Sequence, residues 1–462
     1  MPNLSRRQAL SAMAAGALLR PGDAQAATDP WTALPDLLKR IAPPSFPDRD
    51  FEITRYGAKE GGKIDGTAAF QRAIEAAYAA GGGRVVVPAG VFLTGAIHLK
   101  SNVNLFVAPH ATVRFNPDPR LYPMVLTRFE GMECMNYSPF VYALEQRNIA
   151  ITGGGTLDGQ AGCEHWWPWS GKARCGAPAG GPDQRKARAA LGDLAERGVP
   201  VEKRVMGEGG YLRPMFVQPY RCDNVLIEGV TITNSPMYEF HPVLCRNVTV
   251  RGVTVASHGP NNDGCDPESS ADVLIDRCVF DTGDDCIAIK SGRNADGRRV
   301  HTPSENIVVQ GCTMKDGHGG VTLGSECSGG IRNIYAQDCK MDSPNLDRVL
   351  RVKTNAVRGG VIERVYMRNV EAGQVAGAAV DIDFFYEEGE KGAFPPVVRD
   401  IEVVNLTCRQ SKSALSLRGF KTAPIRNVRL LNCRFEQVAA PNVIENVESL
   451  TLDSVTIGGR PV

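Results

Sequence analysis

Four short motifs supply the residue types that could do chemistry in this chain. They are Asn261-Asn262-Asp263, Gly283-Asp284-Asp285, Gly317-His318-Gly319 and Arg351-Val352-Lys353. Hydrolysis of a glycosidic bond with inversion needs one carboxyl group to protonate the leaving oxygen and a second carboxylate to activate water. Crowded carboxylates repel one another, which raises the pKa of one of them and keeps a proton available. The cations suit a substrate with a carboxylate of its own, because Arg holds carboxylates through two hydrogen bonds.

A short sequence repeat predicts the elements that position these motifs. Each copy begins with a polar residue, usually Asn, and continues with apolar residues in alternation, as in a strand with one buried face. Stacking successive coils buries that face, because equivalent residues then lie above one another. The repeat therefore predicts a parallel β-helix, an all-β solenoid. Copies begin at Asn148, Asn224, Asn247, Asp272, Asn306, Asn333, Arg364, Asp400 and Asn427.

The offsets of the motifs within the repeat predict that they share one side of the solenoid. Asp284 lies twelve residues after the repeat start Asp272, and His318 lies twelve after Asn306. Asp263 lies slightly further along its own coil, so we expect the carboxylates, the imidazole and the cations on one strip. Neighbours in a regular strand point to opposite faces. Either Asp284 and Asp285 lie at a coil corner, or only one of them works.

Two further segments complete the predicted single domain, residues 27–462. Asp65-Gly66-Thr67 precedes apolar residues at helical spacing and a run of glycines, which predicts a helix that caps the N-terminal end of the solenoid. Residues 163–210 depart from the repeat and are rich in Gly, Pro, Ala and charge, with a short helix near residues 184–197. We interpret residues 163–210 as a long surface insertion.

The thirteen cysteines fall into two groups. Four of them occupy a repeat position that holds Val or Leu in other copies, so we expect them to be buried and reduced. Cys163 and Cys175 lie in the insertion and are the pair to consider for a disulfide. The four expected to be buried are Cys278, Cys312, Cys339 and Cys433.

The N-terminus predicts export. Arg6-Arg7 precedes a short apolar run, and Ala24-Gln25-Ala26 offers a cleavage site of small residues. This layout is typical of a twin-arginine signal peptide over residues 1–26, and the apolar run is too short to span a bilayer. We expect the mature protein to be periplasmic or secreted. The formal net charge of +1 indicates neither a nucleic-acid partner nor a membrane-surface partner.

The four motifs, taken together and in order, resemble those of glycoside hydrolase family 28, the polygalacturonase family. The likeness runs from about Tyr56 to the C-terminal coils. Asn261-Asn262-Asp263 corresponds to the family's Asn-Thr-Asp, with Thr replaced by Asn, and Arg351-Val352-Lys353 corresponds to its Arg-Ile-Lys. Tyr386 is similar to a tyrosine that the family places after a later strand. The sequence around Asp263, Gly-Pro-Asn-Asn-Asp-Gly, looks more like that of the bacterial exo-acting branch of the family than that of the fungal endo-acting branch.

The resemblance implies a right-handed, single-stranded β-helix and hydrolysis of α-1,4-galacturonosidic linkages in pectic polysaccharide or oligogalacturonides. It implies inversion, exo attack and no cofactor or metal. In the roles that it implies, Asp284 is the general acid, Asp263 and Asp285 activate water, and His318 supports the acid. It also assigns substrate binding, by Arg351, Lys353, Tyr386 and Asn261.

Two other functions remain open from the residues alone. Pectate-lyase-like β-eliminases also combine acidic residues with Arg or Lys on a β-helix, the acids holding calcium and the cation acting as base. A carbohydrate-binding β-helix without turnover is the second alternative. The sequence also does not rank polygalacturonate against rhamnogalacturonan-type chains, nor does it predict an oligomeric state.

Overall fold

The computed structural model describes residues 29–172, Cys175 and residues 181–462. The predicted signal peptide, residues 1–26, lies outside this range. Within it, no helix is both long enough and apolar enough to cross a membrane.

Parallel strands wind into a solenoid with three sheet faces, as the repeat predicts. The first face contains the repeat strands Asp50–Glu52, Gly83–Val87, Val103–Val107, Arg147–Gly153, Asp223–Glu228, Arg246–Arg251, Ala271–Asp276, Ser304–Gln310, Ile331–Gln337, Val361–Gln374, Val397–Ser411, Ile425–Leu431 and Val447–Asp453. The second face contains Gly90–Thr94, Ala111–Phe115, Thr156–Asp158, Thr231–Thr233, Thr254–Ser257, Val279–Thr282, Thr313–Met314, Lys340–Met341, Arg434–Val438 and Thr456–Ile457, with the ends of the two longest strands of the first face. The third face contains Ile97–His98, Val141–Leu144, Val217–Tyr220, Ile287–Ile289, Val321–Gly324, Leu350–Lys353, Ala378–Asp383, Ser413–Arg418 and Val443–Glu445.

The core consists of columns of aliphatic side chains that continue from coil to coil. In one column Val225 pairs with Val248, which pairs with Val273 and then with Ile307. These residues are between 0% and 1% exposed. Each coil therefore buries its apolar face on its two neighbours, which is how a solenoid gains stability.

The residues that open the repeats adopt left-handed backbone conformations, which explains their type. Asn224 has φ +64° and Asp272 has φ +56°, and all nine predicted repeat starts have positive φ. Asn and Asp tolerate this region better than other residues with a side chain. Their side chains also form ladders: Asn247 donates to Asn224, and Asn224 donates to Asn148. The polar marker is thus a corner residue that turns the chain into each strand.

The cysteine predictions are confirmed. The four repeat cysteines are free and buried inside the solenoid. Cys163 and Cys175 form a disulfide.

The remaining elements cover the solenoid. The predicted capping helix is Thr67–Ala79, whose side chains Phe70, Ala73, Ile74 and Ala77 are fully buried. An antiparallel hairpin joins Met124–Phe129 to Met132–Tyr137. Further helices are Leu34–Arg40, Arg185–Glu196, Gly207–Gly210 and Asn294–Val300, short 3-10 turns are Pro30–Ala33, Ile53–Tyr56, Pro119–Leu121, Trp167–Ser170 and Val201–Lys203, and Arg460–Pro461 pairs antiparallel at the C-terminus.

The insertion packs on the hairpin. Its helix Arg185–Glu196 buries Leu191 and Ala195 against Phe129 and Met132, in a small apolar cluster separate from the solenoid core. This cluster holds the insertion over one part of the third sheet face.

Candidate active site

The catalytic motifs lie where the second sheet face turns into the third. Gly283-Asp284-Asp285 connects the strand Val279–Thr282 to the strand Ile287–Ile289. Gly317-His318-Gly319 makes the same turn one coil later, between Thr313–Met314 and Val321–Gly324. Of the two alternatives for the doubled Asp, the structure shows the coil corner. Here the chain is not a regular strand, so both carboxylates can approach the same region.

Three carboxylates meet at this corner. Asp263, Asp284 and Asp285 each have a carboxylate oxygen within 4.8 Å of the others. The side chain of Asp284 is 14% exposed, whereas Asp285 is completely buried and Asp263 nearly so. Two adjacent residues of one coil and one of the coil before it therefore supply the acidic group that the sequence motifs predict.

Each carboxyl group has its own basic partner. His318 Nδ1 lies 3.0 Å from Asp284 Oδ1. Lys353 Nζ donates to Asp285 Oδ2 over 2.6 Å, and Lys290 Nζ donates to Asp263 Oδ2 over 3.3 Å. These partners divide the site into three acid–base contacts of different exposure.

These acid–base contacts separate the proton affinities of the acids. Burial opposes ionisation of Asp284, but the hydrogen bond and charge of His318 outweigh it and hold its pKa well below the usual value. Burial is likewise outweighed at Asp285, where Lys353 and Arg351 lower the pKa. At Asp263, burial and then the charge of Asp284 raise the pKa to about 8. The hydrogen bond to Asp284 in turn raises the pKa of His318.

The backbones of two successive coil corners approach each other closely at Gly317. A Cβ atom added to Gly317 would lie 2.7 Å from the carbonyl oxygen of Asp284, too close for any side chain. The backbone amide of His318 donates to that same carbonyl oxygen. Glycine before His318 thus lets two successive corners stack closely enough for the imidazole to reach the carboxylate.

The substrate-binding residues implied by the resemblance line the same pocket. Lys353 Nζ lies 5.4 Å from the ring centre of Tyr386, and the guanidinium carbon of Arg351 lies 5.9 Å from it. Arg351 contacts Asp285 only at 3.5 Å, and its Nε has no hydrogen-bond partner among the described residues. Asn261 accepts a hydrogen bond from Arg213 at its Oδ1, over 2.8 Å. Seven of the eight predicted site residues line this pocket; Asp285 lies behind it.

The pocket has a volume of about 410 Å³. The insertion contributes one wall through Lys172, Gln184 and Arg188, and the hairpin contributes Glu130 at its turn. Arg188 Nε lies 2.5 Å from Glu130 Oε2, so insertion and hairpin are joined beside the pocket. Residues of the insertion and of the hairpin thus line the same pocket as the catalytic motifs.

Sequence reasoning missed several charged residues of the pocket. Arg293 lies 3.2 Å from Glu130 and 3.9 Å from Glu326, and Lys290 lies 3.5 Å from Glu326. Lys290 carried a usable signal. It follows Ile289, which pairs with Leu323 and through it with Val352, so it belongs to the same column as Lys353. The hairpin and insertion residues carried no such signal, because they lie outside the repeat.

The three carboxylates do not form a ready calcium site. A calcium ion takes six to eight oxygen ligands, several of them from free carboxylates. Here Lys290, His318 and Lys353 already contact one carboxyl group each. This donor set fits an acid and base constellation better than a cation site.

Comparison with known proteins agrees with the fold and with the family resemblance. The family model of glycosyl hydrolases family 28 matches residues 203–456. The crystal structure of a hyperthermoactive exopolygalacturonase from Thermotoga maritima superposes with a TM-score of 0.91 at 45% identity, covering 93% of this chain and 96% of that one.

Curated relatives give the same result. A probable polygalacturonase from Vitis vinifera is 26% identical over 82% of this chain and 73% of its own length. An exo-poly-alpha-D-galacturonosidase from Dickeya chrysanthemi is 25% identical over 88% of this chain and 72% of its own length. The molecule is a right-handed parallel β-helix glycoside hydrolase. The chain belongs to glycosyl hydrolases family 28.

Proposed function

We propose that this protein is an exo-acting polygalacturonase that removes galacturonate units from the end of pectic chains. The observation that carries the proposal is the convergence of three carboxylates with Arg351 and Lys353 in one walled pocket of a family 28 chain. The cations match the carboxylate that every galacturonate residue carries. Similarity to the exopolygalacturonase from Thermotoga maritima supports the substrate class.

The acid is assigned to Asp284. It is the most exposed of the three carboxylates and lies next to His318, the one titratable imidazole of the group. Asp263 and Asp285 are assigned to the attacking water. Burial and the charge of Asp284 raise the pKa of Asp263 to about 8, so this mechanism requires the proton to pass from Asp263 to Asp284 when the substrate binds. A carboxylate oxygen of Asp263 and one of Asp285 lie within 4.8 Å of each other, a separation that one water can bridge.

Inversion is proposed over retention on the basis of burial. The short spacing of the carboxylates resembles that of retaining enzymes, whose nucleophile must reach the anomeric carbon. Asp285 has no exposed surface and is bound by Lys353, and Asp263 is bound by Lys290. Neither is presented as a nucleophile, so water is left to attack.

Exo attack is supported by the wall of the pocket. The insertion residues Lys172 and Arg188 and the hairpin residue Glu130 line the same pocket as the acids, and we infer that they close one end of it. A polymer can then enter only with its end first. Location in the periplasm or outside the cell is proposed from the twin-arginine segment and agrees with the disulfide.

The test is a time course of products from polygalacturonate, with the anomeric proton of the fresh product followed by NMR. The proposal predicts saturated mono- or digalacturonate from the first minutes, inverted configuration, and slow loss of viscosity. Fully methyl-esterified pectin serves as the control and should be a poor substrate. Rapid loss of viscosity would contradict exo attack, and retained configuration would contradict the role given to water.

The lyase alternative is decided in the same experiment. A β-eliminase gives an unsaturated product that absorbs ultraviolet light and loses activity in chelator. Saturated product and full activity in chelator are expected here.

A further inference from the structure

A buried lysine behind the pocket holds the carboxylate of Asp263. Lys290 is 2% exposed and follows the strand Ile287–Ile289. Its Nζ lies 3.3 Å from Asp263 Oδ2, 3.5 Å from Glu326 Oε2 and 4.8 Å from the ring centre of Tyr238. The other oxygen of Asp263, Oδ1, has no hydrogen-bond partner among the described residues. One oxygen is therefore fixed, and the other is free to receive a proton.

Other charged groups face Asp263 from the surrounding coils. The acids are Asp284 and Asp285 at the corner and Asp266 and Glu239 in the interior. The cations besides Lys290 are Lys353 and Arg213, of which Arg213 contacts only amide and carbonyl oxygens.

The interior acids lie further from Lys290 than Asp263 does, with Asp266 Oδ1 4.0 Å from Lys290 Nζ. Burial, followed by the charge of Asp263, raises the pKa of both Asp266 and Glu239 far above the usual range. Their carboxyl oxygens have no hydrogen-bond partner among the described residues. The shortest carboxylate contacts of the Lys290 ammonium group are those with Asp263 and Glu326, at 3.3 Å and 3.5 Å.

We propose that Lys290 is a positioning residue that fixes the orientation and the charge state of Asp263 for proton transfer from the attacking water. The inference rests on the proposed function, because it requires Asp263 to act on that water. The ammonium group opposes the rise in the pKa of Asp263 that burial and its two ionised neighbours cause, and without it that pKa would rise further. With it, Oδ2 is held and Oδ1 accepts.

The test compares Lys290→Met with Lys290→Arg in the full-length enzyme, with trigalacturonate as substrate and kcat and KM measured across pH. Loss of the cation raises the pKa of Asp263, so the acidic limb of the kcat/KM profile should move to higher pH in Lys290→Met. We expect kcat to fall by about 100-fold, as for loss of a general base, with KM nearly unchanged. Lys290→Arg should restore most of kcat and the position of the limb.

Glu326→Gln supplies a matched variant of opposite sign. It removes the carboxylate that competes for Lys290, so the acidic limb should move to lower pH. It also decides the matter if Lys290→Met does not fold, which circular dichroism would reveal.

Two results would overturn the inference while leaving the proposed function intact. One is an active wild-type enzyme together with Lys290→Met and Glu326→Gln variants whose acidic limbs stay at the wild-type pH. The other is a Lys290→Met enzyme with raised KM and an unmoved profile, which would make Lys290 a substrate ligand. A wild type without hydrolysis of any galacturonan would instead contradict the proposed function itself.

Discussion

At the scale of single residues, the site consists of acids whose proton affinities have been separated by their partners. Asp284 and Asp285 are paired with His318 and Lys353 and keep a low pKa, whereas burial and the charge of Asp284 raise the pKa of Asp263. An acid whose pKa is raised by the fold destabilises the folded state as it ionises. The site therefore has a cost in stability that depends on pH.

Asp263→Asn tests this cost. In the unfolded chain the carboxyl of Asp263 titrates near 3.8, and in the folded protein near 8. Between these values the folded state binds more protons, so the wild type loses stability as pH rises. Asn has no proton to lose, and the melting temperature of the variant relative to wild type should increase from pH 4 to pH 8. Thermal melts in a pH series measure it. A constant difference across that range would contradict the raised pKa.

The four motifs predicted from sequence which residues come together, because their spacing follows the repeat. Asp284 and His318 have the same offset from Asp272 and Asn306, and the structure brings them into contact. The orientation of the doubled Asp could not be predicted, since it depends on backbone angles at a corner. The charged pocket residues Lys290, Glu326 and Arg293 were missed because single charges on strand ends usually lie in solvent.

At the scale of elements, the insertion determines how the pocket ends. The disulfide between Cys163 and Cys175 closes a loop that contributes Ser170, Gly171 and Lys172 to the pocket wall. The charge of Lys172 also helps to lower the pKa of Asp284. The disulfide therefore restrains the loop that carries Lys172, a cation that acts on Asp284.

Breaking that disulfide should loosen the wall without unfolding the solenoid. We expect the Cys163→Ser, Cys175→Ser double variant to show a KM for oligogalacturonides raised by about 3- to 10-fold, with kcat less affected, because an ordered binding wall is lost. Mild dithiol reduction of the wild type should reproduce the effect, since all eleven other cysteines are buried and free. Cys278→Ala is the control for a structural cysteine. Unchanged KM in the double variant would show that the wall holds without the disulfide.

The bounds of the short helix in the insertion were close to the prediction, residues 184–197 against Arg185–Glu196 in the structure. Its place over the pocket could not be predicted. That place depends on apolar contacts of Leu191 and Ala195 with the hairpin, and the hairpin itself lies outside the repeat.

At the scale of the whole molecule, stacking of coils holds both the core and the site in register. The fold was predictable because one sequence repeat recurs. The polar residue that opens each repeat is explained by the left-handed backbone conformation at the coil corner. The N-terminal segment was not predicted. Trp31, Leu34 and Leu37 cover apolar side chains on the outside of the first sheet face, including Val308, a contact that no periodicity reveals.

The corner ladder gives a test of the solenoid that leaves the chemistry alone. Asn224 has φ +64°, donates to Asn148 and accepts from Asn247. Asn224→Ala loses both hydrogen bonds and strains the backbone, which should cost about 2–3 kcal/mol of the free energy of unfolding. Asn224→Gly loses the same two hydrogen bonds but adopts the positive φ without strain, so it should cost less. Denaturant unfolding measures both, and kcat should stay at the wild-type value. Equal losses in the two variants would show that backbone strain plays no part.

The central claim is that acids from adjacent coils act on one galacturonosidic bond with separate roles. The most direct measurement is hydrolysis of an aryl galacturonide, whose leaving group needs no proton, by Asp284→Asn and Asp263→Asn. The account predicts that Asp284→Asn loses activity on polygalacturonate by at least about 100-fold but keeps most of it on the aryl substrate. Asp263→Asn should lose both and recover with azide as an inverted glycosyl azide. The reverse pattern, with Asp263→Asn active on the aryl substrate and Asp284→Asn inactive, would contradict the roles assigned to the two acids.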